Sequence, residues 1–268
     1  MSQGSLGNSL NQLLTSAIYA LFSLGELMQL TFTAYDHMIV KIRSENLESY
    51  DLKYPIGYKA GRTPMLGSRT YKKEELVGRY SVLANNQLAL NGIYHLVTIV
   101  EAVLGDLLRK AIAKYPQKIG SKRSIPSSRI LSCSSIEEIQ MKTIDSILNE
   151  LSYKSPRDFA QECHSFLSVN MLECPAFHKY IEIKATRDTY IHNLGIANDL
   201  YLSKTDSHAR VSKGDRLPVD TAYFLESYEV SIQLMEWLEK ELHDIWPSSE
   251  LEERRAKKNA EQDNADDI

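Results

Sequence analysis

The sequence predicts an all-α protein, and three features carry that prediction. Twelve Gly and eight Pro in 268 residues leave too few turns for a β-sandwich or barrel. Apolar residues recur at three- and four-residue steps through Leu76, Tyr80, Leu83, Leu90, Tyr94, Val97, Leu104 and Leu108, a helix period sustained too long for a strand. Helix-start signals precede later apolar runs: Ser135 with Glu138 three residues on, and Ser155 before Pro156. With 43% apolar and 25% charged residues, the chain can bury one generous core or two modest ones, which excludes a disordered protein and a disulfide miniprotein. Cys133, Cys163 and Cys174 are odd in number and lack metal-ligand spacing, so no disulfide framework or zinc site is expected and a reducing, cytoplasmic location fits.

In chain order, residues 10–42 have a helical period, with an interruption expected at Gly25 because one helix of that length is unusual. Residues 13–35 are apolar, but Glu26 and Gln29 sit near their centre, and a carboxylate at bilayer depth costs roughly 3 kcal/mol. This reads as a buried or interface helix without stable membrane insertion; a membrane-associated alternative rests on this stretch alone. No Lys or Arg precedes Lys41, so the basic start of a signal peptide is missing.

Residues 52–73 carry six bases and no acid, interleaved with Tyr54, Tyr58 and Tyr71, and read as a long loop. The central helix follows over 72–115, its stripe including Gln87 and Glu101. Residues 107–136 carry seven further bases without an acid and become loop-like beyond Tyr115. Helices are expected over 136–151, from Pro156, from Pro175 to Asn193 with Gly195 as terminator, and over 218–245. The last 21 residues hold seven acids against four bases and almost nothing apolar, so a tail without fixed structure is expected. This divides the chain into an N-terminal helical extension (1–50), a basic loop (51–71), a helical domain (72–247) and a charged tail (248–268). No P-loop, G-x-G-x-x-G, H-E-x-x-H or G-x-S-x-G is present.

Arg187 and His192 form an R-x-x-x-x-H spacing, which alone means little: 13 Arg and 7 His produce roughly 0.3 such pairs by chance. An Arg paired with a nearby acid, and a His on the last carbonyls of its helix, account for it as well. Context adds weight. Asp188 lies four residues before His192, on the same helical face, where it can orient the imidazole. Arg187 and His192 leave a regular helix about 140° apart, so they meet at one phosphate only if the helix loosens at residues 193–195 or if two chains share the site. Glu101, on an apolar stripe, needs a partner if buried, and Arg187 or His192 is the candidate.

Three stretches resemble the HEPN superfamily of all-helical domains, many of them bacterial ribonucleases. Residues 94–109, with Glu101-Ala102 followed by an apolar-acid-apolar run, are similar to one of its helices. Residues 185–202 are similar to its R-x(four to six)-H motif and sequel, and residues 213–218 to the segment before its final helix. The likeness spans about 72–245. Asp188 stands where relatives often have Asn or His, and Leu194 where the subgroup tends to be polar.

The resemblance implies an up-and-down HEPN-like bundle with an additional N-terminal helical region. It further implies a metal-independent, cofactor-free endoribonuclease acting as a homodimer, of a bacterial toxin or phage-defence kind, with an antitoxin or defence-system partner. Arg187 and His192 would be catalytic, Asn193, Asp188 and Glu101 supporting. Arg109, Lys110, Lys114, Lys122 and Arg123 are the candidate RNA contacts. The alternative is a non-catalytic HEPN-like module binding RNA, a nucleotide or a protein.

Overall fold

The computed structural model describes residues 3–58, 64–120, 126–152 and 154–266. Among the described residues the protein is all-α apart from one two-stranded hairpin. Helix α1 (Gln3–Ser44) is followed by β1 (Ser49–Tyr58) and β2 (Pro64–Lys72), then α2 (Lys73–Val82) and α3 (Ala89–Lys114). After α4 (Ser127–Leu131) come α5 (Ile136–Ser152), α6 (Pro156–Leu167), α7 (Pro175–Asn193), α8 (Asp199–Thr205), α9 (Thr221–Ile245) and α10 (Ser249–Asp266).

Helix α3 is the centre. Ile93, Leu96, Val97, Val100, Leu107 and Leu108 are fully covered by α1 and α9 and by α5, α6 and α7. A π-helical turn, Leu83–Leu88, joins α2 to α3. Its extra residue per turn rotates the stripe, so Gln87 faces solvent instead of the core, and the buried line runs through Ala89 and Ile93.

Helix α1 is no extension. Leu6, Leu10, Leu14, Leu21, Leu24 and Met28 enter the same core as α3 and α9. Nor does it break at Gly25, where a Cβ would stand 2.8 Å from the Tyr228 ring. That glycine admits an aromatic side chain against bare backbone while the helix runs on. Two stretches, Leu6–Ser44 and Lys73–Lys114, are long and apolar enough to cross a membrane by length and composition. Each buries one face in the core, and α1 also exposes Tyr19, Phe22, Leu27 and Leu30.

The expected basic loop is instead an antiparallel hairpin, paired from Ser49↔Lys72 to Tyr58↔Pro64 with an irregularity between Pro55 and Gly57. Its residues alternate in direction but are exposed on both faces, which removes the period-2 apolar signal of a half-buried strand. Its base is anchored by Tyr50 and Tyr71 against Ile42, Leu76 and Val77. Beyond Tyr115 the chain forms a 3₁₀ turn (Pro116–Ile119) and the short α4, more structure than a loop.

Predicted helix starts fare well where a cap is present. Ser135 accepts from the Glu138 amide at 3.1 Å, while the Glu138 carboxylate reaches one residue further back, to the Ser134 amide at 2.7 Å. Ser155 caps α6. Helix α9 begins three residues later than expected, because the Asp220 side chain accepts from the Tyr223 amide at 2.9 Å.

The tail is also a correction. Helix α10 lies along α1: Gln12 donates to Glu250 at 2.9 Å, Arg254 donates to Asn11 and Thr15 at 3.0 Å, and Leu251 is 2% exposed. One buried leucine and a few polar contacts suffice because α1 already supplies a surface. Leu251→Ala is therefore expected to cost about 2–5 kcal/mol, read as a fall in Tm by calorimetry; a tail without structure would leave Tm unchanged.

Candidate active site

Helix α7 carries most of the residues singled out. Pro175 occupies its first turn, where a missing N–H costs nothing. It is regular through Asn193 and then stops on two left-handed residues, Leu194 (φ 53°) and Gly195 (φ 81°), both amides returning to the Thr189 carbonyl. Gly195 is doubly required: besides its φ, a Cβ there would lie 2.7 Å from the Tyr190 ring. The segment that follows pairs with residues 214–217 through Ala197 N to Asp215 O and Leu217 N to Gly195 O, both 2.9 Å. Asn193 Nδ2 donates to the Ile196 carbonyl at 2.6 Å, and Tyr190 donates to the Leu217 carbonyl at 2.6 Å. Asn193 thus holds backbone.

The structure brings Glu101, Arg187 and Asp188 together. From α3, Glu101 accepts from Arg187 Nη2 through one oxygen and from Lys184 Nζ at 2.5 Å through the other. Asp188 lies 3.2 Å from Arg187 Nη1, 3.5 Å from Lys184 Nζ and 3.4 Å from Lys204 Nζ. The Arg187 side chain is only 17% exposed, and its Nε is buried without a partner among the described residues. The expectation that Glu101 meets Arg187 holds.

The expectation that Asp188 orients His192 does not. Three cations, Arg187, Lys184 and Lys204, surround that carboxylate within 3.5 Å. His192 is exposed on the last turn of α7 and makes no hydrogen bond or ion pair among the described residues. Because α7 stays helical through Asn193, no loosening turns His192 toward Arg187 within one chain. His192 and Arg187 are not brought together there.

The candidate RNA contacts are dispersed. Arg109 is held by Asp145 at 2.5 Å and Asp106 at 3.8 Å. Lys110 and Lys114 are half-buried on the last turns of α3, and Lys122 and Arg123 lie outside the described residues. On the hairpin, Arg69 pairs with Glu75 at 2.9 Å and lies 4.6 Å from the Tyr71 ring centre, while Tyr54 and Tyr58 are exposed. Among the described residues no group of three His, Cys, Asp or Glu side chains could hold a metal ion.

Sequence reasoning missed Lys184, Lys204 and a buried network next to the cluster. Lys184 was legible as the residue four before Asp188; Lys204 comes from α8 and had no local signal. Glu182 is 5% exposed and accepts through Oε1 from Thr186 (2.6 Å), Tyr201 (2.9 Å) and Arg210 Nε (2.9 Å), and through Oε2 from Tyr223 (2.8 Å). Arg210 also donates to the Pro218 carbonyl at 2.8 Å and lies 3.7 Å from the Tyr223 ring centre. This network ties α8, the 210–218 loop and α9 to α7. No protein-family model, curated protein or solved structure matches the chain.

Proposed function

We propose that the protein is a metal-independent endoribonuclease of the HEPN type, acting as a homodimer of toxin or phage-defence kind on RNA in the cytoplasm, with an antitoxin or defence-system partner. One observation carries the reading: an ion-paired Glu101–Arg187–Asp188 cluster sits one turn from an exposed His192, without a partner among the described residues, at a helix end with uncovered apolar residues. Ile191 is 50% and Leu194 78% exposed, and Leu194 holds a left-handed conformation that costs a non-glycine residue about 1–2 kcal/mol. A strained, exposed leucine beside a free histidine is what a two-fold interface would cover.

In such a dimer, His192 of one copy and Arg187 of the other address one phosphate. The substrate 2′-oxygen attacks phosphorus and the bond to the 5′-oxygen breaks. His192 takes the 2′-OH proton or protonates the leaving oxygen, and Arg187 stabilises charge on the phosphate oxygens once phosphate displaces Asp188 from it. The product is a 2′,3′-cyclic phosphate, which DNA cannot form.

A second reading, a non-catalytic HEPN-like module for RNA, nucleotide or protein binding, is favoured by one fact: both Nη atoms of Arg187 are already engaged by carboxylates. Incubating the purified chain with RNA in EDTA separates the two. Cleavage leaving 2′,3′-cyclic ends is expected, and Leu194→Asp should shift the dimer to monomer by light scattering and abolish cleavage. Intact RNA at all enzyme concentrations selects the binding module.

A further inference from the structure

A cavity of about 130 Å³ opens beside the cluster, walled by Leu104, Leu108, Leu148, Leu151, Phe159 and Phe177. That volume is close to the ~150 Å³ of an apolar cavity able to hold benzene. Three observations set it apart from a packing defect. Among the described residues the hydroxyl of Tyr180, a residue 2% exposed, is buried without a hydrogen-bond partner, and Tyr180 lines the cavity. A buried hydroxyl left unpaired is costly and points to an acceptor supplied from outside the chain. Seven residues on, along the same face of α7, the Arg187 Nε is a second buried donor without a partner among the described residues.

Gly105 is the second observation. It lies inside α3 and lines the cavity, yet a Cβ there would meet nothing within 4 Å, so packing does not require a glycine. Glycine in a helix interior is unfavourable relative to alanine, and here its effect is to keep the wall open. Charge is the third. At the polar end the cations Lys184, Lys204 and Arg187 share two carboxylates, Glu101 and Asp188, a surplus of one positive charge that favours an anion there, while the third lining lysine, Lys154, is already held by Glu150 and Glu162. Lys204 also lines an adjoining groove with Arg157, Lys179 and Asp206.

We propose that this cavity binds a small monocarboxylate. Its apolar body, a phenyl ring or an alkyl chain of about six carbons, fills the leucine- and phenylalanine-lined space, and its carboxylate accepts from the Tyr180 hydroxyl and faces Lys184 and Lys204. Burial holds the Tyr180 phenol well above its ordinary pKa, with Glu101 adding to the effect, so the hydroxyl is a donor at neutral pH. The site goes beyond the ribonuclease reading and does not depend on it.

Isothermal titration of the full chain with hexanoate and phenylacetate tests this in the absence of RNA. Both should bind saturably, one per chain, with acetate and 1-hexanol each weaker by about tenfold or more. Tyr180→Phe should weaken hexanoate by about tenfold, the loss of one hydrogen bond to a charged group. Gly105→Leu should abolish binding while its circular dichroism and Tm match or exceed the parent's; Leu148→Trp, on a half-buried part of the wall, fills the same space should the first variant fold poorly. Three results would overturn the proposal: no saturable binding of either carboxylate, as when an ordered water alone caps Tyr180; hexanoate affinity unchanged in a folded cavity-filled variant; or hexanol binding as tightly as hexanoate.

Discussion

An equimolar mixture of Arg187→Ala and His192→Ala chains is expected to recover about a quarter of the parent's RNA cleavage, although each variant alone is reduced by about 10²–10⁴. The proportion follows from the symmetry of the proposed dimer. Random pairing makes half the dimers mixed, and each mixed dimer rebuilds one of its two sites, from the intact Arg187 of one chain and the intact His192 of the other. A site built inside one chain gives no recovery at any ratio. The experiment bears on the geometry described above: α7 is regular through Asn193, and His192 lies outside the Arg187 cluster. Both variants should keep the parent's helical content, since His192 is exposed and makes no hydrogen bond among the described residues, and Glu101 and Asp188 keep Lys184 and Lys204 as partners when Arg187 is removed. Undiminished cleavage by both single variants would remove the ribonuclease site from these residues.

Glu182→Ala is expected to be the most destabilising single change in this part of the molecule. It strips the acceptor from the Thr186, Tyr201 and Tyr223 hydroxyls and leaves the Arg210 guanidinium without its counter-charge. Breaking one side of such a pair costs about 3–5 kcal/mol, which for a chain of this size lowers Tm by roughly 6–20 °C. Replacing both partners, Glu182→Leu with Arg210→Met, should recover much of the loss, because the cost lies in an unpaired buried charge more than in the pair's net value. A Glu182→Ala protein melting within a degree or two of the parent would show that the network holds nothing.

The same network sets an alkaline limit. Burial, with the Glu182 carboxylate adding, pushes Tyr201 from an ordinary 10.0 up to about 12, and Tyr223 well above its ordinary value for the same causes. Between those limits the unfolded chain loses protons that the folded one keeps, so stability is complete below pH 10 and falls as pH rises above it. Denaturant titrations at pH 9 and pH 11 should show the drop.

Much of the helical frame was legible because caps and apolar periods are local. Ser135 and Ser155 mark their helices from sequence alone, and the 3.6-residue period of α3 is written in its leucines and valines. What escaped depends on partners distant in the chain. Gly25 signals a break by itself, and only the Tyr228 ring explains why the helix continues. The 49–72 hairpin has no apolar face to betray it. The tail becomes a helix because α1 lies ready to receive Leu251 and Arg254. Glu101 and Arg187 were foreseen as partners, since a carboxylate on an apolar stripe needs a cation. Asp188 was misassigned because spacing shows its neighbour His192 but not Lys204, sixteen residues on, which competes for it.

Helix α1 sets a timetable for synthesis. Its inner face, Leu6 through Phe32, is covered by α3, α9 and α10, and α9 ends at Ile245. At 5–20 residues per second the ribosome needs roughly 10–40 s to supply that cover after Phe32 is made. Throughout that interval the nascent chain displays a leucine-lined helix whose later partners do not yet exist. Shielding is needed there, at the first forty residues, and any product truncated before α9 keeps that face open for as long as it survives.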